Sequence, residues 1–405
     1  MRFLPTNIEA TTTRGRTVTL RFSAEEHAAR LAATRGELQR RNLAALLVFA
    51  QESHYYLTGY DTAGYVFFQV GIIMANGTLN VLLTRRPDLQ QATVASLYDD
   101  IRLWLNAEDA NPAQDLCDIL IELGLSGNKI GVEYATYGLT AANGRAVDAA
   151  LDGKFMTVDA SDLVRRQRLV KSSAELTYVR KAGKLADLTV HAMLAASRPG
   201  ILDSAITAAG MREMLECGGD IPSGGPLVNS GPRALFGRGV GGPRMIEARD
   251  QLLLELATSV CRYHVCIEHT VAVGSPDPRQ VDMIKIAADA LHEVTAAARP
   301  GRELGALDDI HRRVLDAAGF ANERFAACGY ALGCTFRPTW MDVPPMIYSG
   351  NPLVLEPGMV FFVHIMIPDR NTGLTAGVGW TFAITDGAAE IFSDIPLKLH
   401  VGATS

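Results

Sequence analysis

Three apolar runs of strand length, Leu252–Leu256, Tyr263–Val273 and Met359–Ile367, each carry ionisable side chains among residues that belong in a core. Successive residues of a strand point to opposite faces. That rule puts Tyr263, Val265, Ile267 and His269 on one face of the middle run, and His264, Cys266, Glu268 and Thr270 on the other. The Val/Ile face requires a core, so the polar face is expected to line a cleft. Glu255 interrupts the first run and His364 the third. A buried carboxylate without a partner is costly. Polar groups set into three separate apolar strands therefore point to one shared site, the alternative being that each is a separately satisfied core residue.

The rest of the chain fits a protein of two domains, as its 405 residues suggest. From Ser23 to about Val158 helical and strand-like segments alternate. A helix over Ala24–Arg41 leads into the apolar run Ala44–Phe49, and Phe67–Met74 and Leu79–Leu83 flank Asn76-Gly77, a strong hairpin signal. Ala113–Leu123 reads as a helix ended by Gly124, and Lys129–Val132 as a strand. A long helix, Glu175–Ala196, follows with Ser173 as the expected N-cap. Beyond it, helices over Asp203–Leu215, Val281–Ala298 and Gly305–Ala318 accompany the three strands and a fourth, Gly379–Ile384. Strands and helices grouped in this way predict an α+β domain with a curved antiparallel sheet. The boundary is expected between 160 and 172, giving domains of residues 1–165 and 166–405. Residues 1–16 read as a flexible arm or a strap on a neighbouring subunit, and the Gly/Pro-rich segment Pro222–Gly242 as a mobile wall of the cleft.

Charge and composition exclude several classes of function. The formal net charge is -6, and no Lys/Arg run is longer than the short Arg165–Arg168 cluster. A phosphate-tracking surface needs a basic stripe, so nucleic acid is not an expected partner. No stretch reaches the roughly 20 apolar residues of a membrane span. The six cysteines are scattered without a CxxC pair, which argues for reduced thiols and a cytoplasmic protein. His27, His191, His292, His311 and His400 fall on expected helices or in the C-terminal tail and read as ordinary surface or core histidines.

Several segments together resemble the creatinase/aminopeptidase P superfamily. Lys171-Ser172 with Glu175, Arg180 and Ala182 is similar to the opening of its catalytic domain, and Leu355-Glu356-Pro357-Gly358-Met359-Val360-Phe361 to its specific LEPGMVF motif. Tyr55–Asp61, Gly329–Gly333 and Ile395–Leu399 resemble the ectoine-hydrolase-like branch. The resemblance runs from about Phe22 to the C-terminus. It implies a smaller N-terminal α/β domain and a C-terminal pita-bread α+β domain.

Peptidases of this superfamily hold two metal ions with two Asp, one His and two Glu. By resemblance those positions fall on Glu255, Cys266, Tyr330, His364 and either Gly379 or Trp380. A carboxylate-bridged pair of ions needs hard oxygen ligands, which this set does not supply. No metal and no other cofactor is therefore expected; a single zinc on Cys266 and His364, with His264 or Glu255, is the lesser reading. Creatinase works without metal, and its segment bearing the guanidinium-gripping Glu resembles Cys266–Thr270, which places that role on Glu268. The creatinase base falls on Arg238, which is always protonated and cannot act as one. Arg337 falls where the peptidases carry a substrate-binding His. Arg238 and Arg337 are accordingly expected to clamp a carboxylate, with Glu255 and Trp380 also against the substrate.

The remaining roles go to Cys266 as nucleophile or as filler of a vacated volume, His364 as general base, His264 as the neighbour activating Cys266, and Tyr330 as donor to an oxyanion. By resemblance the protein is a homodimer whose site lies near the subunit interface, with Tyr60, Asp61 and Tyr65 reaching across. The expected activity is metal-independent hydrolysis of a C–N bond in a small polar, carboxylate-bearing metabolite. A lyase or isomerase working by proton abstraction and an inactive ligand-binding homologue are the alternatives.

Overall fold

A computed structural model describes residues 2–4, 6–77 and 79–403. The chain forms two compact units, one spanning Thr6–Arg168 and the other running from Leu169 onward together with the first few residues.

The N-terminal unit is built on a six-stranded mixed sheet. Its middle strand Ala45–Val48 is fully buried and pairs antiparallel with Val70–Met74 and parallel with Lys129–Val132. Val70–Met74 turns back through Asn76-Gly77 into Asn80–Arg85, the hairpin that the dipeptide predicts, with Gly77 at φ 107°. Residues 8–11 are not the flexible arm expected from the sequence. Ile8–Thr11 pairs with Thr17–Leu20, burying Ala10, Val18 and Leu20. The Arg16 guanidinium ties this hairpin down by donating to the carbonyls of Ala92, Thr93 and Tyr98.

The C-terminal unit carries a nine-stranded sheet. Its centre is made of four long antiparallel strands in the order Gln251–Val260, Tyr263–Ala272, Leu374–Ala383 and Val360–Asp369. On one face Phe361, Val363, Ile365 and Ile367 join Val378, Trp380 and Phe382 in a core with Leu291 and Val294 of the helix Pro278–Ala297. The opposite face keeps the alternate residues of the same strands, among them Glu255, Glu268, Gly379 and His364. This one-sided sheet is the α+β architecture that the interrupted apolar runs and the family resemblance predict.

Two local expectations are corrected. The long helix begins at Ser173 rather than Glu175, and its N-cap is Ser172. The Ser172 hydroxyl accepts from the Glu175 amide (3.2 Å), while the Glu175 carboxylate accepts from the Ser172 amide (2.9 Å), a reciprocal capping box. Ser173 lacks the Glu three residues on that such a box needs. Within the Gly/Pro-rich segment, Leu227–Ser230 is an edge strand paired with Leu252–Glu255 and Gly231–Leu235 is a short 3-10 helix, so only the remainder is loop.

Candidate functional site

The site is set by a single row of the sheet. Glu255 lies opposite Glu268, Glu268 opposite Gly379, and Gly379 opposite His364. Directly paired residues in an antiparallel sheet point the same way, with Cβ atoms about 5 Å apart. Gly379 contributes no side chain to this row, and a Cβ there would lie 2.9 Å from His364 Cβ. The space above it lets the two flanking side chains meet, and His364 Nδ1 lies 3.0 Å from Glu268 Oε2. Gly377 clears room for the other oxygen, since a Cβ at 377 would collide with Glu268 Oε1. That oxygen is buried and has no hydrogen-bond partner among the described residues. Donor atoms of Glu255, Glu268 and His364 all lie within 4.8 Å of one another.

Crowding two acids and an imidazole in a low-dielectric site moves their proton affinities. Burial, followed by the charge of Glu268, pushes the Glu255 carboxyl up to about 7, against the opposing charges of His364 and Arg238. Burial alone pulls the His364 imidazole down. The hydrogen bond and charge of Glu268, with the charge of Glu255, outweigh it, and the net direction is upward from 6.5. Tyr330 completes the group. Its hydroxyl accepts from Trp340 Nε1 at 2.8 Å and sits 3.5 Å from Glu255 Oε1, at the outer limit of a hydrogen bond. Burial holds this phenol well above its usual range, so it remains a donor.

Above the row opens a cleft of about 750 Å³ lined by Glu255, Tyr330, His364, Arg238 and Arg370, with Phe236, Phe325, Met341 and Met346 forming apolar wall. Behind it, a chamber of about 10 Å³ touches Glu255, Glu268 and His364 together.

Other expected residues do not line the cleft. Cys266 is fully buried and lines none of these spaces; its backbone pairs with the Thr381 hydroxyl, which donates to Cys266 O and accepts from Cys266 N. Burial and then the Glu255 charge push its thiol well above 9.0, so it is not poised as a thiolate. His264 cannot activate it. Its Nε2 accepts from the Ser223 amide at 3.1 Å, Nδ1 lies 3.1 Å from the Thr335 hydroxyl, and burial lowers the imidazole to about 4. Trp380 points to the opposite side of the sheet, where its indole donates to Thr295 (2.9 Å), so Gly379 rather than Trp380 belongs to the row. Arg337 is exposed and is not among the residues lining the cleft. Tyr60 and Tyr65 are buried in the N-terminal unit, Tyr60 within its core, while Asp61 is partly exposed there.

Sequence reasoning missed Arg370, the apolar wall and Trp340. Arg370 sits in the tight turn between Val360–Asp369 and Leu374–Ala383, where local sequence signals only a hairpin.

The resemblance to a superfamily whose peptidases hold two metal ions implies bound metal, and the donor set tests it. Gly379 has no side-chain ligand and the Cys266 sulfur is not among the donors grouped with Glu255, Glu268 and His364, so a bridged pair of ions does not fit. A single divalent cation fits Glu255, Glu268 and His364, three donors within reach of one ion.

Comparison with known proteins agrees with the fold. The model of metallopeptidase family M24 matches residues 177–389, and that of the creatinase/prolidase N-terminal domain residues 30–170. Among curated proteins, an uncharacterized hydrolase/peptidase of Sinorhizobium fredii is 26% identical, the match covering 94% of this chain and 99% of that protein. The ectoine hydrolase of Halomonas elongata is 25% identical, over 95% of this chain and 99% of its own length. Among solved structures, the prolidase of Thermococcus sibiricus superposes with a TM-score of 0.83 at 19% identity, covering 94% of this chain and all of that one.

Proposed function

The chain belongs to metallopeptidase family M24, with a creatinase/prolidase-type N-terminal domain, and from that premise we propose that it hydrolyses a C–N bond in a carboxylate-bearing metabolite without needing a metal ion. The observation that carries this reading is the 3.0 Å contact between His364 Nδ1 and Glu268, beside a Glu255 carboxyl pushed up to about 7. Similarity over nearly full length to a protein named ectoine hydrolase supports the reaction class.

In this reading Glu268 fixes the imidazole through Nδ1–H, leaving Nε2 to take a proton from water. The small chamber bordered by all three groups is just large enough for one water molecule. The water oxygen adds to the carbonyl or amidine carbon. The Tyr330 hydroxyl, held by Trp340, is near enough to donate to the developing negative charge. Glu255, still protonated near neutrality, gives its proton to the leaving nitrogen as the C–N bond breaks. Paired titratable groups with displaced affinities are the expected signature of such an acid and base. Arg238 at the cleft receives the substrate carboxylate. Were one cation bound by Glu255, Glu268 and His364, it would supply a polarised carbonyl or a more acidic water.

The test is a mass screen of chelator-treated protein against N-acyl amino acids, amidines, guanidino acids and ectoine-like rings. A product one water heavier, or two fragments summing to one added water, supports the proposal. Turnover that appears only on adding a divalent cation overturns metal independence. Rearrangement or elimination without added water favours a lyase or isomerase. No turnover under any condition points to a ligand-binding homologue.

A further inference from the structure

The cleft is large and its walls are divided by chemistry. At about 750 Å³ it lies within the range that encloses a drug-sized ligand, far beyond what a compact ring requires. Phe236 and Met346 on its wall are 46% and 39% exposed, and Phe325 and Met341 continue the same apolar surface. Exposed aromatic and Met side chains gathered around one opening mark a binding surface. Arg238 and Arg370 supply the opposite character. Neither forms an ion pair with a carboxylate among the described residues, whereas Arg244 is paired with Asp250 and Arg279 with Asp369. The acid beside Arg370 is thus already taken, since Asp369 also accepts from the amides of Asn371 (3.0 Å) and Thr372 (3.3 Å). Two guanidinium groups that face one cleft without an ion pair, Arg238 there acting on Glu255 through its charge alone, call for an anionic group on the ligand.

We infer that this cleft takes N-acylated amino acids with an apolar acyl arm, Arg370 joining Arg238 on the substrate carboxylate while the arm lies against Phe236, Phe325 and Met346. The inference rests on the proposed hydrolysis for its chemistry but not for its binding. The balanced reaction on the simplest such probe is N-benzoylglycine plus water giving benzoate and glycine. The amide C–N bond breaks, the water oxygen goes to the benzoyl carbon and its protons end on the new acid and amine.

Calorimetric binding of three probes to the full-length His364→Gln protein tests it, alongside turnover by the unaltered chain. N-Benzoylglycine is expected to bind about tenfold or more tightly than N-acetylglycine, the gain from burying the ring. It is expected to bind about tenfold or more tightly than N-benzoylglycinamide, which lacks the charge-assisted contact. Adding Arg370→Gln should shrink the second difference severalfold, Arg238 keeping the remainder, while leaving the amide unchanged, and Arg370→Lys should restore part of it. Arg370 is exposed, so these variants are expected to fold, which an unchanged melting temperature checks. Equal binding of the benzoyl and acetyl compounds, indifference to Arg370→Gln, or no binding of any probe overturns the inference. The expected binding pattern without release of benzoate from the unaltered protein leaves this inference standing and removes the hydrolytic reading. Hydrolysis of N-acetylglycine or an ectoine-like ring that ignores both the arm and Arg370 does the reverse.

Discussion

Glu133 in the N-terminal unit and Glu255 in the C-terminal unit are both deeply buried carboxyl groups pushed up to about 7, with burial the first cause in each. Their surroundings differ in what is left over. Glu133 accepts from the amides of Phe49 (3.0 Å) and Ala50 (2.9 Å) and from the Ser53 hydroxyl (2.6 Å), beside the charge of Arg168. Its oxygens are committed to holding the start of the helix Gln51–Thr58. Glu255 instead faces a second acid, an imidazole and a cleft, and its nearest phenol is 3.5 Å away. A displaced proton affinity therefore does not itself mark a site. The discriminating features are unsatisfied donors and acceptors and a space for a ligand.

That contrast can be broken or sharpened by substitution. The largest effect is expected from His364→Gln, which removes the base while leaving the cleft intact. Turnover of whichever substrate the screen identifies should fall ~10²–10⁴-fold with the fold preserved. A smaller loss would mean that the Glu268–His364 contact is structural, like the contacts of Glu133.

Next comes Glu255→Gln, with a loss of roughly 10²-fold near neutral pH and a change in the pH profile. A base with a raised affinity works only as pH climbs above the ordinary 6.5 of His364, and the acid fails as pH passes about 7 at Glu255, so the profile should be a narrow bell. Removing Glu255 removes the falling limb. A falling limb that persists near pH 7 in this variant would sink the assignment.

Glu133→Ala reverses the pattern, leaving kcat/KM within about twofold but costing about 1–3 kcal/mol by orphaning three donors. A thermal melt and an activity assay on one preparation decide it. The linkage has a definite sign. Native Glu133 holds its proton to about 7 against an ordinary 4.5, so its contribution declines as pH rises between those values. Glu133→Gln should flatten that decline.

The smallest effect is expected at Cys266. Because its thiol is buried and keeps its proton, Cys266→Ala should change kcat/KM by no more than about threefold. Complete loss of turnover with retained substrate binding would reinstate it as a nucleophile.

Much of the frame was legible in advance. The LEPGMVF segment and the alternation in Tyr263–Thr270 identify the superfamily and the polar face, and Asn76-Gly77 identifies its hairpin. Helix limits mostly fell within a few residues, because capping and Gly/Pro signals are local. The site was legible only in part. Glu255, Glu268, His364, Tyr330 and Arg238 come together as the shared-face argument and the resemblance anticipate. His264 and Cys266 share that face without sharing the cleft. Four residues along a strand separate His264 from Glu268 by ~13 Å, whereas residues paired across strands are ~5 Å apart.

Face, strand and turn follow from the order of residues along the chain, because a period of two and a Gly in a turn are local properties. The sequence by itself therefore determined which side chains leave the apolar face and which family the chain resembles. Only the tertiary structure decided which of them meet. Register across four strands selected Gly379 over Trp380 and opened the gap through which Glu268 reaches His364. The turn joining two of those strands brought Arg370 to the cleft, while Arg337 remained at the surface. Such meetings depend on hydrogen-bond pairing between segments about a hundred residues apart, which no local pattern encodes.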